Sequence, residues 1–172
     1  MKRFLAVSIL AACVLALAPA IQAQDCSSLT NWDLRGTYAM YGSGWNDFSK
    51  VITAPPPGVT LPSGSIPTNW IGVYIFNGKG GGSGWIATNA GGMQLTLDLM
   101  NLTYAVKPDC SVQTSFSMKI RELGITVGPV ARLLVIAGTP SQMELFGMLV
   151  GGGPGTGGDS MTVRRISVQY WQ

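Results

Sequence analysis

The acid and base groups available to this chain limit its chemistry, because none of its 172 residues is histidine. Ser-His-Asp and Cys-His catalysis, imidazole-bound zinc and proton transfer by histidine are therefore excluded. Two carboxylates, Asp98 and Glu144, fall in predicted strands. Asp98 shares its strand face with polar residues, which indicates that it is solvated. Glu144 alternates with Phe146 and Met148 and is the better candidate for a buried carboxyl group. A surface or ion-paired Glu144 is the favoured alternative, so a carboxylate-dependent enzyme is the least favoured function.

Two glycine-rich segments have the composition of phosphate-binding loops but lack the surrounding elements. Residues 78–83 read Gly-Lys-Gly-Gly-Gly-Ser, in which no Ser or Thr follows the lysine and no helix begins. Residues 153–158 match G-x-G-x-x-G, yet residues 161–164 are typical of a strand rather than of the helix that would hold a pyrophosphate. We therefore expect hairpin turns, with no nucleotide, no cofactor and no metal site.

A predicted aromatic strand is the strongest binding candidate. Its alternation puts Trp70, Tyr74 and Phe76 on one face and aliphatic residues on the other, so both faces are apolar. The following strand opens with Trp85, which would extend the aromatic face across the hairpin. Three interpretations stay open: a cavity for an apolar molecule, a flat stacking platform for a carbohydrate, or plain core whose outer face is covered by the proline-rich residues 54–67 or by a partner. The candidate ligand-binding residues are Trp70, Tyr74, Phe76 and Trp85.

Strands and turns must position these side chains, because apolar residues alternate at period 2 between clusters of glycine, proline and asparagine. The clearest strand places Val112, Phe116 and Ile120 on one face and polar residues on the other. Short connections favour an all-β, antiparallel, up-and-down barrel of about eight or nine strands, with a two-sheet β-sandwich as the alternative. The nine predicted strands are 35–41, 70–77, 85–89, 93–99, 102–107, 111–120, 130–137, 142–150 and 161–170.

Residues 1–23 are predicted to form a signal peptide, because a basic start, an apolar run and the small residue Ala23 follow in that order. Residues 24–172 are then expected to form a single all-β domain of a secreted or periplasmic protein. A lipid anchor on Cys13 is the alternative. No later apolar run has the length of a membrane-spanning helix.

Cleavage of the signal changes the cysteine and charge counts. It leaves Cys26 and Cys110, an even pair in an oxidising compartment, and this predicts a disulfide. Losing Lys2 and Arg3 lowers the net charge from +3 to about +1, so the composition implies no nucleic-acid partner.

Four features follow one another in order along the chain. Cys26 is followed by Leu-Arg-Gly-Thr-Tyr at 34–38, then by Phe-Asn-Gly-Lys-Gly at 76–80 with Gly84, and then by Tyr-Ala-Val-Lys-Pro-Asp-Cys at 104–110. In this ordered set the chain is similar to a group of uncharacterised secreted bacterial proteins. The resemblance implies a bacterial source, a disulfide between Cys26 and Cys110, and an all-β fold. It implies no activity.

A fainter resemblance is based on a glycine and an aromatic residue near the start and on arginines near the end. Gly36 and Tyr38 look like the Gly-x-aromatic of the calycins, which packs against a late arginine, although lipocalins carry tryptophan where this chain has tyrosine. Arg164 and Arg165 are the late candidates. Because adjacent strand residues point to opposite faces, one arginine is expected to pack inward against an acidic or aromatic partner.

These features favour an exported, non-enzymatic β-barrel that binds a small apolar molecule or serves a role in the cell envelope. The first alternative is a carbohydrate-binding β-sandwich module, whose partner would be a polysaccharide. The second is the carboxylate-dependent enzyme.

Overall fold

The computed structural model describes residues 25–138, 143–151 and 156–167. Within these ranges eight antiparallel strands close into a barrel, in which each strand pairs with the next and the last pairs with the first. The predicted all-β up-and-down barrel is confirmed, and the two-sheet sandwich is wrong. The strands are β1 (Gly36–Asn46), β2 (Ile66–Phe76), β3 (Gly81–Ala90), β4 (Met93–Val106), β5 (Ser111–Ile120), β6 (Ile125–Ala137), β7 (Glu144–Gly151) and β8 (Thr156–Ser167), and a short helix, α1 (Phe48–Val51), follows β1.

Some predictions fall wholly or partly outside the described residues. These are the signal peptide at 1–23, the lipid anchor on Cys13, the first residue of the predicted strand 142–150, residues 153–155 of the glycine-rich loop and residues 168–170 of the predicted strand 161–170. Among the residues that are described, no helix has both the length and the apolar character needed to span a bilayer.

Strand β4 replaces two predicted strands, because the break expected at residues 100–101 is a β-bulge. The pairing of β4 with β5 shifts register between Met100 and Thr103, and Asn101 adopts a positive φ of 54°. Leu99 and Leu102 both face the interior although they are three residues apart. An extra residue in a bulge resets the alternation in this way, so one strand looks like two in the sequence.

Other strand bounds differ in ways that matter for the outer surface. Strand β1 continues five residues beyond its predicted end at Tyr41, and β2 begins at Ile66 rather than at Trp70. The predicted hairpin turn after β2 is confirmed: residues 77–80 connect β2 to β3, and the Asn77 side-chain oxygen accepts hydrogen bonds from the backbone of Lys79 and Gly81 at 2.7 and 3.1 Å.

Aromatic side chains fill the middle of the barrel. The ring centroid of Phe76 lies 5.4 Å from that of Tyr74, 5.3 Å from that of Tyr38 and 4.6 Å from that of Tyr104, and the Tyr74 ring lies 6.2 Å from Phe116. Each of these side chains is at most 4% exposed. Burying a large apolar side chain stabilises a protein by about 1.5–3 kcal/mol, so this cluster is a major source of fold stability.

The two late arginines point to opposite sides of the sheet, as predicted. Arg165 points inward, with its guanidinium 5.2 Å from the Tyr38 ring centroid and its Nε donating to the Tyr38 hydroxyl at 2.9 Å. It also donates to the backbone carbonyl of Asp33. Arg164 points outward and pairs with Glu144. The inward arginine thus ties the first and last strands to the segment before β1.

The segment before β1 closes one end of the barrel. The predicted Cys26–Cys110 disulfide is present, with an S–S distance of 2.00 Å. The Asn31 side-chain oxygen accepts from the Val106 backbone at 3.0 Å, and the Tyr104 hydroxyl donates to the Asn31 carbonyl at 3.0 Å. Asn31 and the disulfide therefore fasten this segment over the aromatic cluster.

The long connection between β1 and β2 covers the other end of the barrel. Ile52 is 3% exposed within the core, and Leu61 packs against the same core. The expectation that residues 54–67 cover the outer face of β2 is wrong, because Ile71 on that face remains 60% exposed. The connection packs its apolar side chains against the core at this end of the barrel and leaves the outer face of β2 exposed to solvent.

Candidate functional site

The four sequence-predicted ligand residues lie on two sides of the sheet. Trp70, Tyr74 and Phe76 point into the barrel and are 5%, 0% and 0% exposed. Trp85 pairs with Val73 and lies on the outer face, where it is 38% exposed. Trp85 therefore does not extend the aromatic face of β2, since residues directly opposite in antiparallel strands share a face and Val73 is an outward residue.

The inward aromatics contact a buried cation. Arg132 is 7% exposed, and its Nη1 donates to the Tyr74 hydroxyl at 3.3 Å. Its guanidinium carbon lies 5.7 Å from the Trp70 ring centroid and 5.6 Å from that of Phe116. These distances are typical of cation–π contacts, so Arg132 engages the Tyr74 hydroxyl and the rings of Trp70 and Phe116. The buried Trp70 Nε1 has no hydrogen-bond partner among the described residues.

The two candidate carboxylates are held in separate ion pairs on the outside of the barrel. Arg121 Nη2 lies 2.5 Å from an Asp98 oxygen, and its hydrogen bond holds the pKa of Asp98 below its ordinary value. Arg164 Nη2 lies 2.6 Å from a Glu144 oxygen. The favoured interpretation, a surface and ion-paired Glu144, is confirmed because its strand position pairs it with Arg164, and the alternative of a buried carboxyl group on an apolar face is wrong. Within the described residues no cluster of three or more cysteine, aspartate or glutamate side chains is placed to hold a metal ion.

A row of uncharged polar side chains crosses the outer face of five neighbouring strands. The strand register aligns Ser160 on β8 with Ser43 on β1, Ser43 with Asn69 on β2, Asn69 with Asn89 on β3, and Asn89 with Gln94 on β4. All of them are exposed. Within the described ranges no hydrogen bond occupies the side-chain amides of Asn69 and Gln94. We call this set the amide row: Ser160, Ser43, Asn69, Asn89 and Gln94.

Exposed aromatic side chains flank the amide row on β1. Tyr41 and Trp45, which we call the aromatic rim, are 61% and 56% exposed and lie two residues to either side of Ser43. Their Cα atoms are separated by ~13 Å along the strand. Tyr41 also pairs with the exposed Ile71 on β2. Trp85 lies on the same outer face, farther from the amide row than Ala87.

The inward indole of Trp70 depends on a small residue on β1. Gly42 stands between Tyr41 and Ser43 and points toward the interior, where a Cβ atom would come 2.6 Å from Trp70 Nε1 and 2.5 Å from the Ser160 carbonyl oxygen. Both distances are shorter than van der Waals contact. The absence of a side chain at Gly42 therefore gives the inward indole of Trp70 its space.

Three adjacent depressions along the amide row form one continuous feature, the outer groove. Their volumes are about 410, 490 and 540 Å³, and all three are lined by Asn69. Trp45 and Pro67 line the first, Tyr41 and Thr162 the second, and the third extends over Asn89 and Gln94 to Glu122. The second and third depressions follow one another across the strands on the Tyr41 side of the amide row, and the first lies on its Trp45 side.

The outer groove carries little charge. Among its described lining residues, Glu122 at one end is the sole ionisable carboxylate and none is lysine or arginine. Partial burial acts to raise the pKa of Glu122, but hydrogen bonds to its carboxylate, among them one from the Thr96 backbone N–H at 2.8 Å, and the charge of Arg121 together outweigh it, and the pKa is lowered. Glu122 is therefore ionised at neutral pH and places one negative charge at that end.

The fold and this surface define a class of protein: a closed, eight-stranded, up-and-down β-barrel with an aromatic-flanked polar groove on its outer wall. A scan against protein-family models and searches of curated proteins and of solved structures found no match to the chain.

Sequence reasoning missed this surface, and its one outward candidate, Trp85, lies on the outer face but does not line the outer groove. It ended β1 at Tyr41, so Trp45 and Ser43 were not placed on a strand face. The alternation Tyr-Gly-Ser-Gly-Trp over 41–45 is the signal that was available, with aromatic and hydroxyl residues on one side and glycine on the other.

Proposed function

We propose that this protein is a non-enzymatic carbohydrate-binding barrel and that the outer groove is its binding surface. The main observation is that the uncharged amide row crosses β1 between the exposed rings of Tyr41 and Trp45. Sugar rings present flat CH faces, which stack on aromatic rings, and hydroxyl edges, which exchange hydrogen bonds with amides and hydroxyls. An exposed patch of this composition is typical of a ligand surface rather than of ordinary protein exterior.

Export of the protein is part of the proposal. A disulfide such as Cys26–Cys110 persists in oxidising compartments. Together with the signal sequence proposed for residues 1–23, it supports a secreted or periplasmic location, where polysaccharides of cell walls or of the surroundings are accessible. A lipid anchor on Cys13 would keep the same surface exposed at a membrane.

A small apolar ligand inside the barrel has weaker support. Trp70, Tyr74 and Phe76 pack against Arg132, against other rings or against one another, so the part of the interior that they line is filled. The enzyme hypothesis also has weaker support, because Asp98 and Glu144 are engaged in separate ion pairs.

Retention on insoluble polysaccharide tests the proposal. The exported protein is mixed with cellulose, chitin, xylan and mannan, and the bound fraction is measured as a function of added polysaccharide. We expect retention on at least one of them and a drop in affinity of roughly two- to twelvefold for Trp45→Ala, since a lost ring stack is worth roughly 0.5–1.5 kcal/mol. Folding stability should change by less than about 0.5 kcal/mol, as for other exposed positions.

Trp32 provides the matched control. It is 54% exposed, close to the 56% of Trp45, but it lies at the disulfide end of the barrel under the Arg35 guanidinium. Trp32→Ala should keep full retention. Absence of wild-type retention on all four polysaccharides, or equal losses for the two tryptophan variants, would refute the proposed function.

A further inference from the structure

We infer that the outer groove binds a neutral glycan in extended form, with its chain lying across the strands, and that acidic glycans are excluded. This inference rests on the proposed carbohydrate function and names the class and orientation of its ligand.

The length of the amide row favours a ligand of several sugar rings. The row crosses five of the eight strands of the closed barrel, from Ser160 on β8 to Gln94 on β4. With neighbouring strands about 4.8 Å apart, the four intervals measure ~19 Å along the curved barrel wall. A single sugar ring covers only part of that distance, whereas a chain of several rings can contact every position. Asn69 lies at the centre of the row and lines all three depressions, so a chain that fills the groove must pass over it.

The distribution of polar groups sets the direction of the chain. A ligand lying along β1 would meet Tyr41, Ser43 and Trp45 in succession, with one hydrogen-bonding side chain between two rings. A ligand lying across the strands meets five hydrogen-bonding side chains and passes between the two rings. Because a glycan carries hydroxyl groups on every ring, the crosswise direction satisfies more of its donors and acceptors.

The charge of the surface selects against acidic glycans. Uronate carboxylates bind most strongly to cationic side chains, and the described lining of the groove contains no lysine or arginine. The ionised Glu122 at one end repels a carboxylate instead. Arg121, the residue before Glu122, is engaged by Asp98. A neutral chain incurs none of these costs.

A second groove on the barrel gives an internal control. It lies on the outer face of β4, β5 and β6, has the same volume of about 540 Å³ as the largest depression, and is lined by outward Thr103, Ala105, Gln113, Ser115, Ala131 and Leu133. None of these outward residues is aromatic, and Gln113 is its one amide. Gln113→Ala therefore removes an exposed amide of the same barrel without touching the amide row.

Calorimetric titration with oligosaccharides of increasing length tests the inference. The probes are cello-, chito-, xylo- and manno-oligosaccharides from one to six rings, with oligogalacturonates as the acidic series. We expect affinity for a neutral series to rise with length and level off once the row is spanned, and no binding of the acidic series. Asn69→Ala should weaken the longest chain by roughly three- to tenfold, while Gln113→Ala leaves it unchanged.

The outcomes separate the inference from the proposed function. A monosaccharide that binds as tightly as a hexasaccharide, equal effects of the two amide variants, or tight binding of oligogalacturonate would overturn the inference while carbohydrate binding stands. Absence of binding by every series, together with no retention on the four polysaccharides, would overturn both.

Discussion

Strands β1 and β2 carry tyrosine on both faces of the sheet, buried on the inner face and exposed to solvent on the outer face. On the inner face, Tyr38 and Tyr74 are 0% exposed, and their hydroxyl groups accept hydrogen bonds from Arg165 and Arg132. On the outer face, Tyr41 is 61% exposed beside the amide row. One thickness of sheet separates tyrosines whose partners are protein groups from a tyrosine whose ring faces solvent.

This difference shows that aromatic content alone does not identify a binding strand. The inner rings are held by contacts with other rings and with buried arginines, and they stabilise the barrel. The outer rings gain little from folding because they stay in water, so their presence is better explained by a ligand. Whether an aromatic ring is structural or available to a ligand depends on the groups that it contacts in the folded chain.

Truncating one tyrosine on each face should give the largest contrast in folding stability. Tyr74→Ala removes a fully buried ring that contacts Phe76 and Phe116 and leaves Arg132 without that hydroxyl, so we expect a loss of about 3–5 kcal/mol. Tyr41→Ala should cost less than about 0.5 kcal/mol. Urea denaturation of the two variants measures both values. Similar losses for the two variants would mean that the faces do not differ as described.

Much of the fold could be predicted from alternation, and the errors have identifiable causes. Strand β5 was predicted at its observed bounds because Val112, Phe116 and Ile120 alternate with polar residues. Strand β4 was divided in two because the bulge at Asn101 shifts the inward set from odd to even numbers, and nothing local in the sequence marks that shift. The closure of β8 onto β1 is a long-range contact that no local pattern encodes.

The site was harder to predict than the fold because β2 is apolar on both faces. Alternation separates Trp70 and Tyr74 from Ile71, but it cannot say which set points inward. The space left inside by Gly42 decides this for Trp70, and that glycine lies on a different strand. Assigning the site therefore required the register between strands rather than the pattern within one strand.

Adding one methyl group at Gly42 should test how the inner and outer faces are coupled. Alanine is normally the better strand residue by roughly 0.5–1 kcal/mol, so propensity alone predicts stabilisation. A Cβ atom here would lie 2.5 Å from a backbone oxygen and 2.6 Å from the Trp70 indole, and overpacking of this kind costs about 1–3 kcal/mol. We expect Gly42→Ala to lower the free energy of unfolding and to change the Trp70 environment in near-ultraviolet circular dichroism.

The neighbouring outward residue serves as its control. Ser43→Ala changes the same strand on its solvent side and should leave stability within about 0.5 kcal/mol of the wild type. A Gly42→Ala variant as stable as the wild type would show that the barrel relaxes around the added atom, and that Trp70 does not require the space that the glycine leaves.

The smallest expected effect concerns the ionisation of the inner face. Burial raises the pKa of Tyr38 to about 12, and the Arg165 guanidinium only partly offsets it. Because the folded-state pKa lies above the ordinary value near 10, the folded chain holds this proton more tightly. Stability is then complete below pH 10 and is lost as pH rises toward 12. The loss between pH 9 and pH 11 should be about 1 kcal/mol.

Burial raises the pKa of Tyr104 as well, so a Tyr38→Phe variant should retain part of the loss. Urea denaturation at the two pH values measures the loss of folding stability. An equal loss in the wild type and in Tyr38→Phe would show that the raised pKa of Tyr38 does not cause it.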